Sequence, residues 1–151
     1  MKLSLPELLM VAQCYGEGRN GITPELMAAI CWVESHGDTE AVGDRGRAVG
    51  LAQFHACAWR RCSPRDSHWS RRLHRSVVGP CPRDHRLKVD CTMRALVKNL
   101  RTGAGALRRR KMPVTAAALA RWHNSGRADG KWTRYATRVG LVMRGLKKEI
   151  L

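Results

Sequence analysis

Glu34 has the setting best suited to acid–base chemistry in this sequence. It lies near the end of a predicted helix that begins after the N-cap residue Thr23. Leu26, Ile30 and Val33 share one face of that helix, and Glu34 projects close to it. Loss of water around a carboxyl group raises its pKa, which allows it to donate a proton near neutral pH. On spacing alone, the alternative is a glutamate at the edge of the apolar face whose carboxyl reaches water.

Asp44 is the candidate partner, ten residues after Glu34 in a turn region that is rich in glycine. Glycines at this density suit a narrow hairpin. A helix-end glutamate that faces a hairpin aspartate across a cleft is the arrangement used in glycoside hydrolysis, with one carboxyl protonated and the other ionised. Asp38 and Glu40 are alternative partners, although we expect both at the surface.

Two segments of the chain resemble the signatures of one superfamily. The first is Glu34-Ser35 followed by AVGDRGRAVGLAQF at 41–54, and the second is ARWHNSGRADGKWTRYATRV at 120–139. Together they are similar to the lysozyme-like superfamily, especially soluble lytic transglycosylase domains and invertebrate-type lysozymes. The chain departs from the pattern by Ser125 in place of a glycine, by Ala136 in place of a tryptophan, and by one extra residue in each of two loops.

The resemblance implies a muramidase that cleaves the β-1,4 bond between N-acetylmuramic acid and N-acetylglucosamine in peptidoglycan. Glu34 would be the general acid. Asp44 would be the second catalytic carboxylate of a lysozyme, and its presence slightly favours hydrolysis over lytic transglycosylation. The substrate-binding residues that the resemblance implies are Ser35, Gln53, His123, Asn124 and Tyr135. A structural role is the alternative for the histidine and the tyrosine. No metal and no organic cofactor is expected.

The expected fold is mainly α, of the α+β lysozyme-like kind, and residues 1–151 form a single domain. A small β-hairpin lobe at about 40–54 and the helices form a substrate cleft. Hydrophobic periodicity predicts further helices, at 6–15, 91–100, 115–122 and 133–151, with a looser stretch at 102–105.

A loop-rich segment at about 55–90 contains three of the six cysteines. The spacing of Cys57 and Cys62 argues against a zinc knuckle. These two, or Cys81 with Cys91, could close loops as disulfides in an oxidising compartment. Two more cysteines lie in predicted helices, where we expect them to be buried as small hydrophobic residues: Cys14 and Cys31.

The formal net charge of +16 favours acidic polymers as partners. Residues 1–58 contain four basic and seven acidic residues, so the positive charge lies in the rest of the chain. We expect binding to peptidoglycan glycan strands, and to anionic cell-wall polymers by charge. No specific nucleic-acid binding is expected, and the RRRK run at 108–111 is interpreted as a solvated face. The competing hypothesis is a non-enzymatic basic protein that binds nucleic acid or anionic cell-wall polymers.

The first eighteen residues make a poor signal peptide, because Pro6 and Glu7 interrupt the apolar part. No apolar run approaches the roughly 20 residues of a transmembrane helix. We therefore expect a monomer that acts at the bacterial cell wall as a phage endolysin or a wall-remodelling enzyme. Either the protein stays inside the cell that makes it, or it reaches the wall by a non-classical or holin-type route or as part of a virion.

Overall fold

The computed structural model describes residues 1–16, 18–55, 57–58, 88–129, 131 and 133–149. This part of the chain is mostly helical, with one small antiparallel sheet. The helices are α1 (Leu5–Gln13), α2 (Pro24–Ser35), α3 (Val89–Arg109), α4 (Ala116–Ser125) and α5 (Arg134–Glu149). The strands are β1 (Val42–Gly43), β2 (Ala48–Val49) and β3 (Phe54–His55), in the order β1-β2-β3. The predicted mainly α fold with a small β lobe is confirmed.

Helices α1, α2 and α4 each begin after a residue whose side chain caps the helix. Ser4 and Glu7 form a reciprocal capping box at the start of α1. The Thr23 hydroxyl accepts a hydrogen bond from the Leu26 amide at 3.2 Å, and Thr115 caps α4 in the same way. Such caps stabilise a helix by about 1 kcal/mol each, because they satisfy amides that have no partner inside the helix.

Helix α2 is the centre of the fold and packs against both α1 and α5. Leu26, Met27 and Ile30 are completely buried, as is Cys31, for which burial was predicted. Burial of each large apolar side chain contributes about 1.5–3 kcal/mol, so α2 is held firmly. The helix ends at Ser35, which places Glu34 in its last turn.

Helix α3 is longer than predicted. The sequence predicted a looser stretch at 102–105, but the helix continues to Arg109. The reason is tertiary packing, since Ala104 and Leu107 are buried and Gly103 lies against the ring of Trp122. A glycine that weakens an isolated helix is here the residue that allows α4 to approach α3.

Two predictions about solvent exposure had different outcomes. Residues 108–111 are exposed, as predicted for a solvated face. Cys14 is also exposed, so the prediction that it is buried was wrong, because it lies at the C-cap of α1 beyond the last buried turn. Cys62, Cys81 and most of the loop-rich segment at 55–90 lie outside the described residues, so one cysteine of each proposed disulfide lies there, whereas Cys57 is exposed and Cys91 is buried. Within the described ranges no helix combines the length and apolarity needed to span a membrane.

Candidate active site

A cavity of about 720 Å³ lies between the β lobe and the helices. Of the seven residues predicted for the site, the fold brings five to its wall: Glu34, Asp44, Gln53, His123 and Asn124. They come from α2, the β lobe and α4, which are far apart in sequence. Ser35 and Tyr135 do not line the cavity.

The Glu34 side chain is only 18% exposed. Burial raises the pKa of its carboxyl group, and the nearby Tyr135 hydroxyl and Arg138 oppose this in part. The direction agrees with the sequence prediction, and its cause is the desolvation that the apolar neighbours suggested. A carboxyl group with a raised pKa that faces an open cavity can donate a proton to a bound molecule.

A chain of hydrogen bonds fixes the orientation of His123. The Trp122 indole Nε1–H donates to Asn99 Oδ1 at 3.2 Å, so the Asn99 amide nitrogen faces His123 Nδ1 at 2.9 Å. An amide nitrogen can only donate, and Nδ1 therefore accepts. The proton is on Nε2, which donates to the Ala52 carbonyl oxygen at 3.1 Å. The imidazole thus connects α4 to the loop between β2 and β3.

His123 is consequently neutral beside the general-acid candidate. Its side chain is 5% exposed, and burial lowers its pKa to about 4. Nε2 lies 3.7 Å from Glu34 Oε1, but a neutral imidazole forms no salt bridge with the carboxylate. A protonated His123 at this distance would favour the ionised form of Glu34. Keeping the histidine neutral therefore preserves the raised pKa of Glu34.

Tyr135 supports Glu34 from the core side. Its hydroxyl is buried and has no hydrogen-bond partner of standard geometry among the described residues. It lies close enough to Glu34 for each group to shift the pKa of the other, and burial and the Glu34 charge raise the pKa of the tyrosine. A buried hydroxyl at this point can donate to the carboxylate that forms after proton transfer.

Gln53 and Ser35 make hydrogen bonds within the protein. The Gln53 amide nitrogen donates to the carbonyl oxygens of Ala41 and Gly50, at 3.0 and 2.9 Å, and so braces the β lobe. A Cβ atom on Gly43 would lie 2.4 Å from Gln53 Oε1, which explains why a glycine occupies that position. The Ser35 hydroxyl donates to the Cys31 carbonyl oxygen at 3.0 Å within α2.

Asp44 has a polar and open setting. Its side chain is 46% exposed and lies 3.2 Å from His55 Nε2 and 3.7 Å from Arg47 Nε. The two carboxyl groups of the cavity therefore have contrasting environments, one desolvated and one solvated, as the sequence analysis expected. The contrast is typical of paired carboxylates in glycoside hydrolysis.

Residues 14–75 match the transglycosylase SLT domain. This domain indicates a glycosidase or lytic transglycosylase that acts on peptidoglycan. The matched segment contains Glu34, Asp44 and Gln53, whereas His123 and Tyr135 lie beyond it. No curated protein and no solved structure matches the chain. In the described ranges no group of three or more His, Cys, Asp or Glu residues is placed to hold a metal ion.

Two residues that shape the site were not predicted from the sequence: Asn99 and Trp122. Both line the cavity, and together they determine the tautomer of His123. Asn99 lies between Val97 and Leu100 on α3, so its place beside an apolar stripe was a usable signal. Its partner, however, is 24 residues away, and only the packing of α4 on α3 identifies it.

Proposed function

We propose that the protein is a lytic transglycosylase in which Glu34 acts first as acid and then as base. The observation that carries this proposal is the desolvated carboxyl group of Glu34, which lies in the segment 14–75 that matches the transglycosylase SLT domain. Glu34 is desolvated and surrounded by protein groups, whereas Asp44 is about half exposed and held by His55 and Arg47. A single desolvated carboxyl group is sufficient for transglycosylation.

In the proposed reaction, the protonated Glu34 donates its proton to the glycosidic oxygen as the bond from that oxygen to the muramyl C1 breaks. The carboxylate that results accepts the proton of the muramyl 6-hydroxyl. The 6-oxygen then bonds to C1 and closes a 1,6-anhydro ring, and Glu34 is protonated again. The buried Tyr135 hydroxyl and Arg138 stabilise the intermediate carboxylate.

Hydrolysis is the second candidate, because Asp44 lines the same cavity as Glu34. Asp44 would then stabilise the positive charge that develops at C1, or help water to attack. The sequence slightly favoured this reaction, and the match of residues 14–75 to the transglycosylase SLT domain shifts our preference to transglycosylation. A lytic role in phage release and a role in wall remodelling are both compatible with either reaction.

The deciding experiment is a digest of purified peptidoglycan by the wild type, Glu34→Gln and Asp44→Asn, with the products identified by mass spectrometry. We expect anhydromuropeptides, lighter by one water than hydrolysis products, from the wild type and from Asp44→Asn. Glu34→Gln should yield no soluble products while it keeps its helical circular dichroism.

Reducing-end products that disappear in Asp44→Asn would establish hydrolysis instead. Undiminished cleavage by Glu34→Gln would overturn the assignment of the general acid. If the wild type releases nothing but binds walls in a strongly salt-dependent way, the non-enzymatic basic protein is the better interpretation.

A further inference from the structure

A second cavity, of about 580 Å³, adjoins the proposed glycan cleft. It is formed by the C-terminal part of α3, the end of α4 and the residues that follow α4. Trp122 and Gly126 line both cavities, so the two share a wall. Three arginines line the second one: Arg109, Arg110 and Arg127. We call it the arginine pocket.

The shared wall is preformed. The Trp122 ring lies against Gly103, where a Cβ atom would come within 2.5 Å of the indole. Its Nε1–H donates to Asn99 at 3.2 Å, which fixes the rotation of the ring. Arg110 is also fixed, because its Nη1 donates to the Ala128 carbonyl oxygen at 2.8 Å. A ligand therefore meets a site whose wall and one of whose cations are already in position.

The charge of the arginine pocket is positive after its acidic group is counted. Asp129 is the carboxylate among its lining residues, and Arg121 contacts it through two hydrogen bonds of 3.1 and 3.3 Å. Arg121 therefore neutralises Asp129. In the described part of the chain, Arg109 and Arg127 are exposed and form no ion pair. The two helix C-termini beside the pocket contribute about half a negative charge each, which is less than the three guanidinium charges.

We infer that the arginine pocket binds the carboxylates of the peptide stem carried by the glycan strand in the adjoining cleft. The inference rests on the proposed function, which places a peptidoglycan strand in that cleft. Guanidinium groups bind carboxylates through paired hydrogen bonds. Each muramyl unit carries its stem as a branch, and a branch can follow the wall at Trp122 from one cavity into the other. A stem-free glycan strand keeps only the lactyl carboxylate next to each muramyl ring and lacks the branch that would reach this pocket.

The test compares binding of three strands: without stems, with stems bearing free carboxylates, and with the same stems amidated. It uses protein with the Glu34→Gln substitution, so that the strands stay intact. We expect the strand with free carboxylates to bind about three- to tenfold more tightly than the amidated one, since exposed ion pairs contribute little each. Adding Arg109→Gln and Arg127→Gln should remove this difference without changing the affinity for stem-free strands.

The matched control adds Arg19→Gln and Arg144→Gln, which remove the same charge from exposed positions outside both cavities. It should keep the difference between free and amidated stems. Equal losses in the pocket and control variants would overturn the inference, because long-range charge would then explain the preference. So would equal binding of free and amidated stems. If Arg109→Gln and Arg127→Gln weaken binding only when wall teichoic acid is added, the pocket binds phosphate groups and not stem carboxylates. That result would also overturn the inference.

Failure of the proposed function has a different signature, namely no cleavage by the wild type and no binding of stem-free strands. The arginine pocket is then tested by titrating a free stem tripeptide and following the Trp122 indole resonance by NMR. A shift that is absent in the Arg109→Gln, Arg127→Gln protein supports the pocket. No shift in either protein overturns it.

Discussion

Asn99→Asp is the substitution that most directly tests how the fold controls the protonation of Glu34, the proposed acid. Asn99 donates to His123 Nδ1, while His123 Nε2–H donates to the Ala52 carbonyl oxygen. An aspartate at position 99 is nearly isosteric. Its carboxylate can still accept the hydrogen bond from Trp122, but it has no hydrogen to donate to His123. Nδ1 must then carry a proton, and because Nε2 keeps its own, His123 becomes an imidazolium.

The size of the effect follows from the 3.7 Å between His123 Nε2 and Glu34 Oε1. At an effective dielectric constant of about 20, two unit charges at this distance interact by about 4.5 kcal/mol. The new aspartate lies on the far side of the imidazole and offsets about half of this. About 2 kcal/mol in favour of the Glu34 carboxylate corresponds to one to two pH units. The other groups that act on Glu34 are unchanged: Cys31, Tyr135 and Arg138.

The assay is the pH dependence of kcat on peptidoglycan. A general acid works in its protonated form, so a lower pKa moves the high-pH limb of the profile towards lower pH. We expect a shift of about one to two units, and a loss of about ten- to hundredfold at a fixed pH above the limb. Asn124→Asp is the matched control, since it adds the same charge to an exposed position in the same cavity. A like charge there moves the limb slightly upwards.

A limb that stays in place, or moves upwards, in Asn99→Asp would refute the reasoning. Nitrogen chemical shifts of the His123 ring provide an independent reading. They should show both nitrogens protonated in the variant, and only Nε2 protonated in the wild type.

Two further predictions concern stability. Gly103→Ala should destabilise the protein by about 1–3 kcal/mol in urea unfolding, because the new Cβ overpacks against Trp122. Gly145 also lies in a helix, but a Cβ atom added there would meet no other atom within 4 Å. Gly145→Ala should therefore stabilise the protein by about 0.5–1 kcal/mol. Destabilisation by both substitutions would contradict the packing argument. His123 stays neutral in the folded state down to about pH 4 but takes a proton from about pH 6.5 downwards when unfolded, so the wild type loses stability as the pH falls through this window. His123→Gln should lack this loss, on the order of 3 kcal/mol, when unfolding is compared at pH 7 and pH 4, and equal losses in both proteins would show that burial of His123 is not its source.

Local features of the sequence predicted the starts of α1 and α2 and the leading candidate residue of the site. Thr23 and Ser4 cap helices because their hydroxyls satisfy amides a few residues away, which is a short-range effect. The raised pKa of Glu34 was predictable for a similar reason, since its apolar neighbours lie on the same helix. The glycine-rich stretch after that helix likewise predicted the β lobe that carries Asp44.

Tertiary structure alone decided how the distant residues act on Glu34. The length of α3 depended on Trp122, which packs on Gly103 from another helix. The tautomer of His123 depended on Asn99 and Ala52, which are 24 and 71 residues away in sequence. Hydrogen bonds of this kind require both partners to be brought together by packing, and no periodicity within either segment encodes the partner. The sequence by itself therefore pointed to Glu34 as the candidate acid, whereas the fold determined which distant groups surround its carboxyl group.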